Sequence, residues 1–240
     1  MPLLDHFHLP LSLERHWESF HTGWAWELMA YLNQGGLPKG YFAEAQVQLG
    51  GRVEVDVASL EGEGPGRPAP DSNGGVAIVA EPLASVMTMP AVFPDEFEVL
   101  VLDRSGGPNL VGAIELVSPG NKDRPAARRA FATKCAAYLH AGVGVVVVDV
   151  VTDHHFNLHD ELVSLMRQDN ALRFPGGRTI YVAAYRPTRR EDIGDEIEIR
   201  LGALAVGEPL PSALLALRRG PMVTIDLEST YTATRNRSQL

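Results

Sequence analysis

Glu115 stands near the end of an apolar run, Val111-Gly-Ala-Ile-Glu115-Leu116-Val, in which no other charge occurs. A carboxylate in such a setting is costly to bury unless it is paired or bound to a metal. Downstream, Lys134-Cys-Ala-Ala-Tyr138 places a lysine and a tyrosine one helical turn apart on one face. Upstream, Arg52-Val-Glu-Val-Asp56-Val-Ala alternates polar and apolar residues and supplies a second carboxylate, Asp56, on a strand-like segment. Mg²⁺ and Mn²⁺ prefer oxygen ligands, and Asp56 and Glu115 could hold such an ion jointly if their strands are neighbours. The backbone carbonyl of Leu116 would be a third ligand. A lysine beside them would stabilise a pentavalent phosphate or lower the pKa of an attacking water. Two strand-borne carboxylates and a nearby ammonium are what a metal-dependent phosphodiesterase site needs. In such a site Lys134 would stabilise the transition state with Tyr138 in support, and Lys122, in the turn after Ser118-Pro-Gly-Asn, is the competing cation.

The surrounding pattern supplies the elements that must position these groups. Trp17, Phe20, Trp24, Leu28 and Leu32 recur at three- and four-residue intervals and predict a helix from about Leu11 to Asn33, ended by Gly35-Gly36 and Pro38. Residues 43–49 and 52–60 read as a hairpin around Gly50-Gly51, and residues 97–103 and 109–117 as a second one around Ser105-Gly-Gly-Pro. Residues 61–75 are rich in Gly, Pro, Asp and Ser and read as a long surface loop. A helix is predicted from Pro125 to His140, then a strand buried on both faces over Val143–Val151. Asn157 is the expected N-cap of a helix from Leu158 to Gln168. Strands follow at 180–185 and 196–201, then a short helix over 214–219 and an extended segment over 223–227. The polar residues 232–240 read as a frayed tail.

Bulk properties narrow the class. The chain has 240 residues, 45% of them hydrophobic and 21% charged, which is ordinary for a soluble globular protein. Its single cysteine, Cys135, excludes an intramolecular disulfide and a cysteine-based zinc cluster. The start, Met1-Pro-Leu-Leu-Asp-His, has no basic region like that of a signal peptide, and the longest apolar run, Val143 to Val151, is too short to span a bilayer and contains Asp149. A cytoplasmic location with no membrane partner is the expectation. The net charge of −9 argues mildly against nucleic acid. Locally, however, Lys122, Arg124, Arg128, Arg129 and Lys134 stand against one acid, Asp123. That cluster suits phosphate approach, and it equally suits a solvated helix face.

The order of these parts resembles the PD-(D/E)XK nuclease superfamily: a helix, an aspartate on a strand, a glutamate on a later strand, Lys-x-x-x-Tyr on the next helix and then a buried strand. More narrowly, Glu115-x-x-Ser118-Pro119, Lys134-x-x-x-Tyr138 and Ala141-Gly142-Val143 running to Asp149 look like a mostly uncharacterised bacterial branch of that superfamily. Leu158-His-Asp-Glu-Leu162, Ala184-Tyr-Arg-Pro187 and Leu227-Glu-Ser-Thr-Tyr231 carry the likeness along nearly the whole chain, to an uncharacterised bacterial family near that branch. The resemblance implies an α/β fold with a restriction-endonuclease-like core, a mixed central β-sheet flanked by helices. It divides one domain into a core of about 11–187, a C-terminal extension of about 188–231 and a tail at 232–240. It further implies Mg²⁺ or Mn²⁺ at Asp56 and Glu115, DNA as the partner, and a dimer of the kind many proteins of this fold form. Two positions depart from the pattern. Val55 stands where a proline precedes the superfamily's aspartate, and Val117 stands where its lysine follows the glutamate by two residues. In some members that lysine migrates to the neighbouring helix, where Lys134 stands.

Blander readings accompany these. Asp56 could be an exposed edge-strand acid, Tyr138 a packing residue, Asp149 a turn cap and Cys135 a small buried filler. His154, His155 and His159 near Asp153 and Asp160 could make a zinc site or simply cap a helix. Glu18, on the first helix, is a further acid that such folds sometimes bring to the metal. The tryptophans Trp17, Trp24 and Trp26 read as core and its margin. Two rival functions stay open: a non-catalytic binding or oligomerising module of the same fold, and a hydrolase of a small phosphorylated substrate.

Overall fold

The apolar stripe Trp17, Phe20, Trp24, Leu28 and Leu32 is buried along its whole length. The computed structural model describes residues 2–48, 96–105, 107–190 and 194–240, so Asp56, its strand and the loop over 61–75 lie outside the described residues. The expected first helix divides into a single turn, α1 (Leu11–Glu14), and α2 (Trp17–Tyr31), with Arg15 and His16 extended between them. The reason lies in the preceding segment. The His6 and Trp17 rings are 5.0 Å apart, so the chain must double back between them and cannot run straight from residue 11.

Six described strands form one mixed sheet: β1 (Tyr41–Gln48), β2 (Glu96–Asp103), β3 (Asn109–Leu116), β4 (Gly144–Asp149), β5 (Tyr181–Arg190) and β6 (Gly194–Ala203), neighbours in that order. Among these pairs only β3–β4 is parallel, because α3 (Pro119–Asp123) and α4 (Pro125–His140) carry the chain back across the sheet between them. The expected helix over 125–140 and the expected hairpin of β2 with β3 are both present. Among the described residues, β1 pairs with β2, from Tyr41↔Asp103 to Gln48↔Glu96. Asn157 caps α5 (Leu158–Leu165) through its side chain, which accepts from the amides of His159 and Asp160.

The C-terminal third departs from expectation. Residues 212–216 form a strand, β7 (Ser212–Ala216), where the run of Leu and Ala suggested a helix, and they pair with β8 (Met222–Asp226). Tertiary packing overrides local propensity there. The β7 backbone lies so close to the sheet that a Cβ on Gly144 would overlap the Ala216 carbonyl, and one on Gly112 would press on Leu215 and Leu217. Gly112 and Gly144 are register partners on β3 and β4, so together they make a flat patch for the hairpin. The tail expected to fray is instead a helix, α6 (Leu227–Ser238), started by Asp226, whose carboxylate accepts from the Ser229 amide. Its inner stripe is Leu227, Thr230, Tyr231, Thr234 and Arg235, too polar to be read as a core stripe. The Trp24 indole donates to Thr230 Oγ1 at 3.1 Å, which anchors α6 on α2.

These elements give a mixed α/β architecture in three layers. One sheet face is covered by α2, α6 and the β7–β8 hairpin, around Trp24, Val99, Ile114, Val146, Leu215 and Tyr231. The other is covered by α4 and α5, around Val117, Phe131, Val147, Leu158, Tyr181 and Tyr185. The boundary expected at residue 187 falls inside β5, and β6 continues the same sheet beyond it. The segment beyond it contributes β6 to the sheet, and its β7–β8 hairpin and α6 cover one face together with α2. No helix among the described residues is long and apolar enough to cross a membrane.

Candidate active site

The carboxylates meet on the α4 side of the sheet. Alternation along β3 sends Ile114 and Leu116 into the core beneath α2, and turns Glu115 toward α4 with Val117. On β2, Phe97, Val99 and Val101 share the α2 side, so Glu96 and Glu98 face α4 as well. Glu98 and Glu115 are register partners, directly opposite one another, and both are buried. A β-bulge aligns them. Between Val101↔Gly112 and Leu102↔Leu110 the register shifts by one residue, leaving Val111 without a partner on β2. The Val111 carbonyl instead accepts from the Arg218 amide at 2.8 Å, at the end of the β7–β8 hairpin. Without the shift, Glu98 would face Ile114.

Helix α4 supplies the remaining groups. The Lys134 ammonium lies 2.9 Å from Glu115 Oε2, 3.6 Å from Glu98 Oε2 and 4.0 Å from Glu96 Oε1. One turn on, the Tyr138 hydroxyl donates to Glu98 Oε2 at 3.0 Å. Glu115 Oε1 is fully buried and has no hydrogen-bond partner. Burial, with Glu98 adding to it, pushes the Glu115 carboxyl up to about 8 even though Lys134 opposes the shift. Burial and the neighbouring Glu98 thus favour the protonated form of Glu115, and Lys134 favours its carboxylate. Burial alone would lower the Lys134 ammonium, but Glu115, Glu98 and Glu96 outweigh it and raise its pKa. The Tyr138 hydroxyl is held well above its usual range, first by burial and then by the neighbouring carboxylates. Burial also raises the Cys135 thiol between them, which leaves it an inert packing group.

The other expected site residues are placed elsewhere. Lys122 is fully buried and saturated. Its ammonium lies 3.1 and 2.9 Å from the two oxygens of Asp149 and donates to the carbonyls of Val151 at 3.2 Å and Thr179 at 3.0 Å. It holds α3 to the end of β4, with no donor left for a substrate, and Asp149 is its counter-charge as well as a cap for the Val151 amide. Leu116 follows Glu115 at the end of β3, its side chain in the opposite core. Glu18 is exposed on α2, on the far side of the sheet. The His159 ring nitrogens are taken by Tyr185 Oη and the Leu172 carbonyl, both at 2.8 Å, and His154 pairs with Asp153. Among the described residues, no three of His, Cys, Asp and Glu converge as a ligand group.

The basic cluster is mostly engaged. Besides Lys122 and Lys134, the Arg128 guanidinium stacks 3.6 Å from the Phe156 ring centroid and donates to the Lys122 carbonyl. Arg124 pairs with Asp123 at the surface. Arg129 remains an exposed side chain of the helix.

The second carboxylate of the described site is thus Glu98, which the sequence reading did not single out. Its signal was present in the alternation Glu96-Phe97-Glu98-Val99 on a strand already paired with Glu115's. Counting back from a tight hairpin would have put it on the wrong face, because the bulge is not legible locally. The residues present fit Mg²⁺ or Mn²⁺. The donors are hard carboxylate oxygens, and the buried, unpartnered Oε1 of Glu115 is an atom that a cation would satisfy. Two carboxylates are also the usual protein share of a site that a phosphate completes. Comparison of the chain with family models, with curated proteins and with solved structures finds no match.

Proposed function

We propose that the protein is a Mg²⁺- or Mn²⁺-dependent phosphodiesterase with a restriction-endonuclease-like core, acting on DNA. The observation that carries this reading is the pairing of Glu98 with Glu115 across β2 and β3, with the Lys134 ammonium against both. The strand order supports it too: an antiparallel meander, a helix bearing the lysine, then a strand parallel to the last of the meander.

Glu98 and Glu115 would hold the ion, whose chemistry there would be to polarise a phosphoryl oxygen and lower the pKa of a bound water. Lys134 sits where charge would develop on a phosphate brought to the two carboxylates, and the site's burial strengthens that interaction. Tyr138 fixes the rotamer of Glu98 through its hydrogen bond. Glu115 would bind the ion as a carboxylate, and the cation would satisfy its buried, unpartnered Oε1.

The test is cleavage of plasmid and single-stranded DNA with Mg²⁺ or Mn²⁺, run for the wild type beside Glu115→Ala and Glu98→Gln. Cleavage by the wild type alone is the expected result, and cleavage that survives in Glu115→Ala would overturn the assignment. Metal removal gives a second readout. Mn²⁺ at 100 times its dissociation constant should stabilise the wild type by about 2.7 kcal/mol, and the effect should vanish on chelation and in both variants. A second reading, a non-catalytic binding or oligomerising module of the same fold, is favoured by the engagement of Lys122, Arg124 and Arg128 in internal contacts. It gains if neither DNA nor Mn²⁺ produces a response.

A further inference from the structure

The two outermost described strands of the sheet are treated differently. At β1 the edge is closed from within the chain: the Asn33 side chain donates to the Ala43 carbonyl at 2.9 Å and accepts from its amide at 2.8 Å, as a neighbouring strand would. At β6 no such plug is present among the described residues. The strand is ten residues long, contains no proline and pairs with β5 without a register shift from Tyr181↔Ala203 to Arg190↔Gly194. A long, regular edge that no described residue covers is a template for another strand.

Parity identifies the residues that present this edge. The Leu204 amide continues the ladder by donating to the Ile180 carbonyl, so the even-numbered residues of β6 turn toward β5. Pro187, which has no amide, accordingly stands opposite an odd-numbered residue, Ile197. Asp195, Ile197, Ile199, Leu201 and Ala203 therefore point their amides and carbonyls outward.

We propose that β6 is a dimer interface that pairs with the β6 of a second copy of this chain, antiparallel about a two-fold axis at Ile199. The sequence of the edge selects the occupant and the register. With Ile199 on the axis, Ile197 faces Leu201 of the other copy, and Glu198 faces Arg200 in both symmetry-related positions. Centring on Glu198 would set two glutamates against each other, and centring on Arg200 two arginines, each a destabilising like-charge pair. Glu198 and Arg200 are both exposed, and Glu198 already pairs with Arg186 of β5 at 3.4 Å, so the contact with the other copy's Arg200 gives it a second cationic partner. The half-buried Ile197, Ile199 and Leu201 lie on the α5 side, where Ile197 and Ile199 line a cleft of about 400 Å³ with Leu162, Met166 and Tyr185. An axis perpendicular to the sheet keeps faces matched, so the Leu201 of the other copy extends the apolar floor of that cleft. One twelve-stranded sheet results from the described strands, and Glu98 and Glu115, on β2 and β3, stay clear of the junction. The inference does not depend on the proposed activity.

Light scattering after size exclusion and sedimentation velocity test it on the full chain. The wild type should show a concentration-dependent monomer–dimer equilibrium. Arg200→Glu sets Glu198 against a glutamate, and Glu198→Arg sets two arginines against each other, so each should raise the dissociation constant by roughly tenfold or more. Mixing the two variants should restore a dimer, because an edge with acids at both positions then meets an edge with arginines at both, and every pair is complementary. Circular dichroism and melting temperature confirm that both variants fold, as exposed substitutions should allow. A wild type that stays monomeric at the highest concentration reached would overturn the proposal. So would dimers that persist in both single variants, or a mixture that stays monomeric.

Discussion

Replacing Lys122 by methionine removes a cation from a position closed to solvent. The side chain and its partner Asp149 are both fully buried, and the ammonium serves the Asp149 carboxylate and two backbone carbonyls. Removing one side of such a pair costs about 3–5 kcal/mol, because the other charge is left buried and uncompensated. The two carbonyls left without a donor belong to the same loss and are not added to it. Burial already pushes the Asp149 carboxyl up to about 6 with Lys122 in place, so it will rise further without it. The folded variant then binds a proton that the unfolded chain has already released, and its stability falls as pH rises from the unfolded value of 3.8 through the raised folded one. The deficit relative to wild type should therefore be small near about pH 5 and largest above about pH 8. Urea unfolding across this range reads the midpoint, with the slope serving as a check on two-state behaviour. Lys122→Met/Asp149→Asn should recover at least about 1 kcal/mol of the summed single losses. A neutral-pH loss below about 1 kcal/mol, or one that does not change with pH, would refute the reasoning.

Other expectations are equally direct. Burial lowers the His21 imidazole to about 3, and the neighbouring His6 is lowered to about 4. Protons bind these rings in the unfolded chain first, so their contribution is lost as pH falls from about 6.5; His21→Leu should remove about 2 kcal/mol of acid destabilisation at about pH 5. Unchanged acid limbs in the two proteins would count against it. Gly144→Ala should cost roughly 2–3 kcal/mol by forcing the β7 backbone off the sheet, and a melting temperature within a degree or so of wild type would contradict that packing. The same substitution at Gly207, where a Cβ would meet no neighbouring atom, tests backbone strain alone, since φ is +88° there.

The elements around the site were largely legible because their signals are local. The limits of α4, the Asn157 cap and the hairpin of β2 with β3 all follow from proline, capping and alternation within a few residues. Helix α6 was not, because a stripe of threonines and a tyrosine becomes a core face only when Trp24 and Leu28 are there to receive it. Strand β7 was not, because leucine and alanine are extended there only by virtue of two glycines about seventy to a hundred residues earlier.

For the site, the sequence by itself determined which residue types were available: one glutamate in an apolar strand and a lysine and tyrosine one turn apart on the helix after it. A buried carboxylate demands a partner wherever the chain goes, and that demand can be read without coordinates. Which lysine would meet it could not be read. Lys122 and Lys134 are both cations on helices that follow β3, and only the packing of α3 and α4 on the sheet sends one to Asp149 and the other to Glu115. The second carboxylate was decided at greater range still. A one-residue bulge at Val111, its carbonyl bound by Arg218 from the far end of the chain, turns Glu98 toward Glu115 rather than Ile114. Strand register has a period of two, so a single residue settles the face, and the contact that accompanies this shift lies more than a hundred positions away.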